Sequence, residues 1–204
     1  MELAKQKPDW VFGYQDETWW SRFAQPDLHS WVEGNQFLKL IEQTPRRDDP
    51  DPKAIACYGL ALHWYEHNQL KHEEVWLRFV EGNPCSDLTI QYLEWLLEKT
   101  RLADKKALVM IWDHATWHKS RAVRKWVREH NQIVKKTQEG VRLLPFLLPK
   151  KSPWLNPIEP MWIHAKRKVG EPDKPLTVTE LVRRVSSVFD NPILPFFTIS
   201  ENVS

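Results

Sequence analysis

Residues 107–113 read ALVMIWD, six apolar side chains closed by an aspartate. A short, unbroken apolar run of this kind fits a strand buried on both faces, as in parallel sheets. WVFGYQD at 10–16 reads the same way, a buried strand ending in Asp16. If the two strands are parallel neighbours, Asp16 and Asp113 emerge at one edge of a sheet. Open α/β sheets place their sites at such strand ends.

The flanking sequence fills in the sheet and its helices. QTPRRDDPDPK (43–53) is a polar loop broken by prolines. AIACYGLALHWYE (54–66) and EVWLRFVE (74–81) read as a hairpin, with Val75, Leu77 and Phe79 alternating in the second strand. Ser86 or Asp87 can cap a helix reaching about Arg101, with Ile90, Leu93 and Leu97 on one face. A second helix spans about Ser120 to Lys135, with Ala122, Val123, Trp126, Val127 and Val134 as its apolar stripe. VRLLPFLL (141–148) is a strand whose proline suggests an edge or a bulge. A helix begins in MWIHAKRKV, and the last begins at Thr177 with a Thr177-x-x-Glu180 capping box. Its stripe is Leu181, Val182, Val185, Val188 and Phe189. This alternation predicts an α/β fold, a mixed sheet flanked by helices, with no linker dividing residues 1–204.

Bulk properties narrow the class. At 204 residues the chain can bury one sizeable core. No apolar run approaches the roughly 18 residues of a membrane span, and MELAKQKPDWVF lacks a signal peptide's apolar stretch. Cys57 and Cys85 match no metal spacing and suggest no disulfide framework. These features predict a cytoplasmic protein with no membrane partner. Net charge is +2, but residues 114–170 carry thirteen Lys/Arg against three Glu, and residues 1–113 carry −6. The basic segment is either a set of solvated helix faces or a polyanion-binding half contacting phosphates.

KKSPWLNPIEPMW (150–162) holds Glu159 between prolines, in one of the stiffest stretches of the chain. Three carboxylates at one edge repel each other unless a cation joins them, and hard oxygen donors suit Mg²⁺ or Mn²⁺. Two such ions about 4 Å apart can activate a water or a 3′-hydroxyl and stabilise the leaving oxygen of a phosphodiester. Simpler readings exist. Aspartate after a strand is ordinary turn chemistry, and Asn156-x-x-Glu159 with Pro157 can be a helix cap. HWYEH (63–67) has the H-x-x-E-H form of inverted zincins, but that chemistry needs a helix, and the segment reads as a strand.

DETWW (16–20), WDHATWHKS (112–120) and LPKKSPWLNPIEPMW (148–162) together resemble the catalytic motifs of DDE transposases. The resemblance is to the mariner-like bacterial insertion-sequence group (insertion-sequence 630 type), and it runs from about Pro8 to Phe189. Ser152, Pro153, Leu155, Asn156, Pro157, Ile158 and Glu159 all match the third motif. The resemblance implies a ribonuclease-H-like catalytic domain that hydrolyses and transfers DNA phosphodiesters of an insertion sequence. It implies Asp16, Asp113 and Glu159 as catalytic ligands of two Mg²⁺ ions, Mn²⁺ substituting, with His114, His118, Ser120 and Asn156 as supporting residues. A host nuclease on the same fold and an inactive DNA-binding remnant are the alternatives.

Two departures stand out. His114 replaces the family's usual Asn; a protonated ring there would oppose a cation, so His114→Asn is expected to retain or improve activity. The span 114–158 between the last two acids is longer than the mariner-like pattern, with the surplus in NQIVKKTQEG (131–140). Lys119, Arg121, Arg124, Lys125, Lys150, Lys151, Lys166, Arg167 and Lys168 are the candidate phosphate contacts. Trp154 is a candidate for stacking on a base, and Trp162 for the core. Only fifteen residues precede Asp16, too few for a helix-turn-helix module. The expectation is one catalytic domain acting as a homodimer on DNA, with end recognition on a separate helix-turn-helix chain or lost.

Overall fold

Strand β1 (Trp10–Ser21) runs through Asp16 and does not end at it. The computed structural model describes residues 7–23, 46–66, 69–150, 152–170 and 174–199. β1 is the middle of a five-stranded sheet ordered β3-β2-β1-β4-β5. The hairpin is formed by β2 (Ala54–Glu66) and β3 (Gln69–Val80), and β2 runs antiparallel to β1. On the other side β4 (Ala107–Trp112) and β5 (Arg142–Leu147) add in parallel, so the sheet is mixed. β3 begins five residues before the predicted Glu74, and the hairpin carries a bulge between Trp64 and Tyr65.

Side chains alternate across a strand, and here both faces are covered, so β2 is apolar almost throughout. Ala56, Tyr58, Leu60 and Leu62 join one core with α1 (Ser86–Leu102) and α2 (Arg121–Thr137). Ile55, Cys57 and Ala61 join the other with α3 (Ile158–Val169) and α4 (Val178–Val188). The helix stripes shift in detail. Leu88, Tyr92 and Leu96 complete the buried face of α1, while Ile90 is only half-buried. In α2 Val123 and Val134 are buried but Ala122 is exposed. Val188 falls on the outer side of α4. Residues 131–137 of the predicted surplus continue α2, which stops at Gln138 in the left-handed conformation (φ 61°). The Thr177–Glu180 capping box forms as predicted.

Two anchors close the ends of the sheet. Phe197 bridges Val80 in parallel and covers the outer edge of β3, its N–H donating to Phe79 O at 3.0 Å. Arg22, only 5% exposed, holds the end of β1. Its guanidinium donates to both Asp49 carboxylate oxygens, at 3.1 and 2.9 Å, and to the Leu176 carbonyl at 2.6 Å. No described helix is long and apolar enough to cross a membrane.

Candidate active site

The last residue pair joining β1 to β4 is Tyr14 with Ile111. Asp16 and Asp113 each lie two positions further on, so the register brings them level. From there β1 continues against β2 alone, with Asp16 opposite Gly59. Asp16 therefore sits inside a strand at the point where its parallel neighbour ends. Strand length, which the sequence does not fix, separates this from the expected convergence of two strand ends.

Helix α3 brings the third acid. It starts at Ile158, three residues earlier than predicted, so Glu159 lies in its first turn. The N-terminal end of a helix favours a carboxylate, and Pro160 is tolerated because a first-turn N–H has no acceptor within the helix. Asn156 does not cap this helix. Its side chain is buried and donates from Nδ2 to the Gln15 carbonyl at 3.2 Å, tying the Glu159 segment to β1 beside Asp16.

One turn along α3, Trp162 Nε1–H donates to Asp16 Oδ2 at 2.9 Å. Burial, and then the nearby charges of Glu159 and Glu17, push the Asp16 carboxyl up to about 7. Lys166 lies in the field of the same two acids, Glu159 and Asp16, while burial pulls its ammonium below the ordinary lysine range.

Asp113 is fixed from the other side. Its Oδ1 accepts from the Ala115 N–H at 2.8 Å and lies 2.9 Å from His118 Nδ1. The hydrogen bond from His118 holds the Asp113 carboxyl below its usual range. Ser120 caps α2 by accepting from the Val123 N–H at 3.2 Å, and so fixes the turn that carries His118.

A cleft of about 380 Å³ opens between these elements, lined by Asp113, His114, Leu148, Pro149, Lys150, Ser152, Asn156 and Glu159. Two of the three predicted acids thus face one cavity; Asp16 is not in its lining but follows Gln15, whose carbonyl holds the cleft residue Asn156. As the side chains stand, no three His, Cys, Asp or Glu among the described residues converge as a ready-made metal cage. His114 turns its Nε2 to the Leu148 carbonyl, 2.7 Å away, joining the exit of β4 to the cleft wall. Asparagine is too short to reproduce that bond, a consequence of the substitution that the motif alone does not disclose.

Of the predicted phosphate contacts, one lies in the wall of this cleft and the other described ones on or beside neighbouring helices. Lys150 lines it. Lys119, Arg121, Arg124 and Lys125 are exposed at the start of α2, and Lys166, Arg167 and Lys168 lie in the last turn of α3. Lys151 lies outside the described residues. Trp154 is 75% exposed on a short 3-10 turn (Pro153–Leu155), whereas Trp162 is buried. In the HWYEH segment, His63 sits on β2 with its Nε2 2.7 Å from Glu73, as a strand and not a zinc helix; His67 lies outside the described residues.

A mixed 3-2-1-4-5 sheet, with acids from β1, the exit of β4 and α3 gathered beside one cleft, defines a ribonuclease-H-like fold. Residues 67–181 match the family model of the DDE superfamily endonucleases; this is more than half of the chain, which belongs to that family. The fold is similar to that of the Mos1 transposase paired-end complex with left transposon end, at 15% identity and a TM-score of 0.55, over 91% of this chain and 49% of that one. It is also similar to the Mos1 mariner paired-end complex with Mn, at 16% identity and a TM-score of 0.52, over 89% and 48%. The chain spans about half the length of these structures. No curated protein matches it.

Proposed function

We propose that this chain is a DDE transposase catalytic domain of an insertion sequence, in which Asp16, Asp113 and Glu159 hold divalent cations and DNA is cut and rejoined. The observation that carries this reading is Asp113 and Glu159 facing one cleft while the sheet register sets Asp16 level with Asp113. The donor set is all carboxylate oxygen, which suits hard divalent cations such as Mg²⁺ or Mn²⁺. The Mos1 structure named with Mn supports the same choice. When bound, the cations supply activation of a hydroxyl nucleophile and neutralisation of charge on the leaving oxygen.

The chain's own residues orient the reactants. His118 and the Ala115 N–H hold Asp113; Trp162 holds Asp16; Asn156 keeps the Glu159 segment against β1. Lys150, with the exposed cations at the start of α2 and the end of α3, grips the phosphate backbone. Water attacks first and frees a 3′-hydroxyl, which then attacks target DNA. The reading extends to a homodimer on DNA and to a separate helix-turn-helix chain that recognises the element's ends.

Asp113→Asn tests it. This change removes a charged oxygen without adding bulk, and it is expected to abolish Mg²⁺-dependent nicking and joining of DNA while the circular dichroism spectrum stays that of the wild type. Cleavage by Asp113→Asn at the wild-type rate would refute the assignment. Cleavage by the wild type without joined product would move the reading to a host nuclease.

A further inference from the structure

Beside Asp16 stands a second carboxylate that the three-acid site leaves out. Alternation along β1 turns Glu17 to the opposite face of the sheet, towards the turn that precedes α2. There its side chain is only 9% exposed. Its Oε1 accepts from Trp117 Nε1 at 3.2 Å and Gln15 Nε2 at 3.0 Å, and lies 2.9 Å from His118 Nε2. The His118 side chain is fully buried and stacks on Trp112, with centroids 4.4 Å apart and planes 12° from parallel. Its other nitrogen, Nδ1, is the one that meets Asp113 Oδ1.

Each ring nitrogen of His118 lies within hydrogen-bond distance of a carboxylate oxygen, one from each acid. The ring is thus locked between an interior acid and an acid at the cleft. Burying a polar ring between two acids is unfavourable unless its polar atoms are well satisfied. An aspartate that merely shaped a turn would need nothing beyond the Ala115 N–H. We propose that Glu17 and His118 are positioning residues that fix the Asp113 carboxylate, holding Oδ1 to the protein and leaving Oδ2 to the cleft. Glu17 acts through His118: it sets the height and tilt of the ring, and the ring sets the carboxylate. This inference rests on the reading of Asp113 as a metal ligand. It adds a fourth acid, on the far face of the sheet, to the machinery of the site.

Mn²⁺ binding to the whole chain, followed by electron paramagnetic resonance without DNA, tests the relay independently of catalysis. His118→Phe keeps a flat ring on Trp112 but removes both ring nitrogens. Glu17→Leu removes the acceptor, and Glu17→Gln restores one. Each variant is measured below its own melting temperature. Loss of such an outer partner typically weakens metal binding by about 10–100-fold. That loss is expected for His118→Phe and Glu17→Leu, with most of the affinity returned by Glu17→Gln. The double change His118→Phe with Glu17→Leu should be no weaker than His118→Phe alone, because the two act in series. A purely structural role would lower the melting temperature and leave Mn²⁺ affinity unchanged in the folded protein. Wild-type affinity in Glu17→Leu, with Asp113→Ala defective, would overturn the relay and leave the metal site standing. Wild-type affinity in Asp113→Ala would overturn both. If His118→Phe does not fold, the contrast between Glu17→Leu and Glu17→Gln decides.

Discussion

Trp162 reaches from α3 to β1 and donates its indole N–H to Asp16 at 2.9 Å, three residues after Glu159 on the same helix. The helix that presents one proposed ligand therefore clamps the strand that presents another. The ring fits because Gly59, the β2 partner of Asp16, has no side chain beneath it. Trp162 and Ile158 together pack the start of α3 against β2 at the site.

Trp162→Phe keeps most of the apolar bulk and removes the donor. A hydrogen bond to a charged group contributes about 1.5–3 kcal/mol. Urea denaturation at about pH 8.5, above the value of about 7 to which the Asp16 carboxyl is raised, should show a loss of that order. DNA cleavage measured well below the melting temperature should fall as well, because Asp16 loses its tether. A variant that unfolds more readily yet cuts at the wild-type rate would show that the bond serves only the core.

Gly59→Ala should strike the same site from below. The added Cβ would overlap Cη2 and Cζ2 of Trp162 and come within 3.0 Å of Ile158 Cδ1. Overpacking of this kind costs about 1–3 kcal/mol. The ring must lift, and the indole N–H with it. Denaturation together with cleavage kinetics should show Gly59→Ala resembling Trp162→Phe, and the double variant should cost less than the two singles added. Full additivity would mean that Gly59 and Trp162 are not coupled.

Acid should destabilise the protein partly through Asp49. Its hydrogen bond from Arg22 holds its carboxyl below the usual aspartate value of 3.8. A depressed folded-state value contributes stability that is present above pH 3.8 and is lost as pH falls through the folded-state value. Asp49→Asn should therefore be less stable than the wild type at pH 6, with the gap closing towards pH 3. Urea midpoints across that range report it. A constant gap would mean that the Asp49 charge does not matter to Arg22.

Arg121→Glu combined with Arg124→Glu should weaken DNA binding about equally for an element end and a scrambled duplex, since phosphate contacts carry no sequence information. Both residues are exposed at the start of α2. Every phosphate that is no longer neutralised should reduce the salt slope by about 0.9. Binding titrations at several salt concentrations would show it, and an unchanged slope would place the DNA elsewhere.

Much of this molecule was legible in its sequence. The apolar runs at 54–66 and 107–112 and the Thr177–Glu180 capping box lie within elements of the expected type, while the proline-held Glu159 segment, read as stiff, proves to be the first turn of α3. Their signals are local: side-chain period, a cap and its partner three residues away, prolines that fix φ. What the tertiary structure decided depends on strand pairing. Asp16 lies within a strand because β4 stops while β1 goes on beside β2. Glu17 meets His118 across 101 positions, and Asn156 meets the Gln15 carbonyl across 141. Trp162 needs Gly59, and nothing local to either residue says so. Periodicity tells which face a side chain takes. Which strand lies alongside, and how far it extends, is set by the free energy of the assembled sheet, so the partners of the site residues emerge only when the whole sheet is in register.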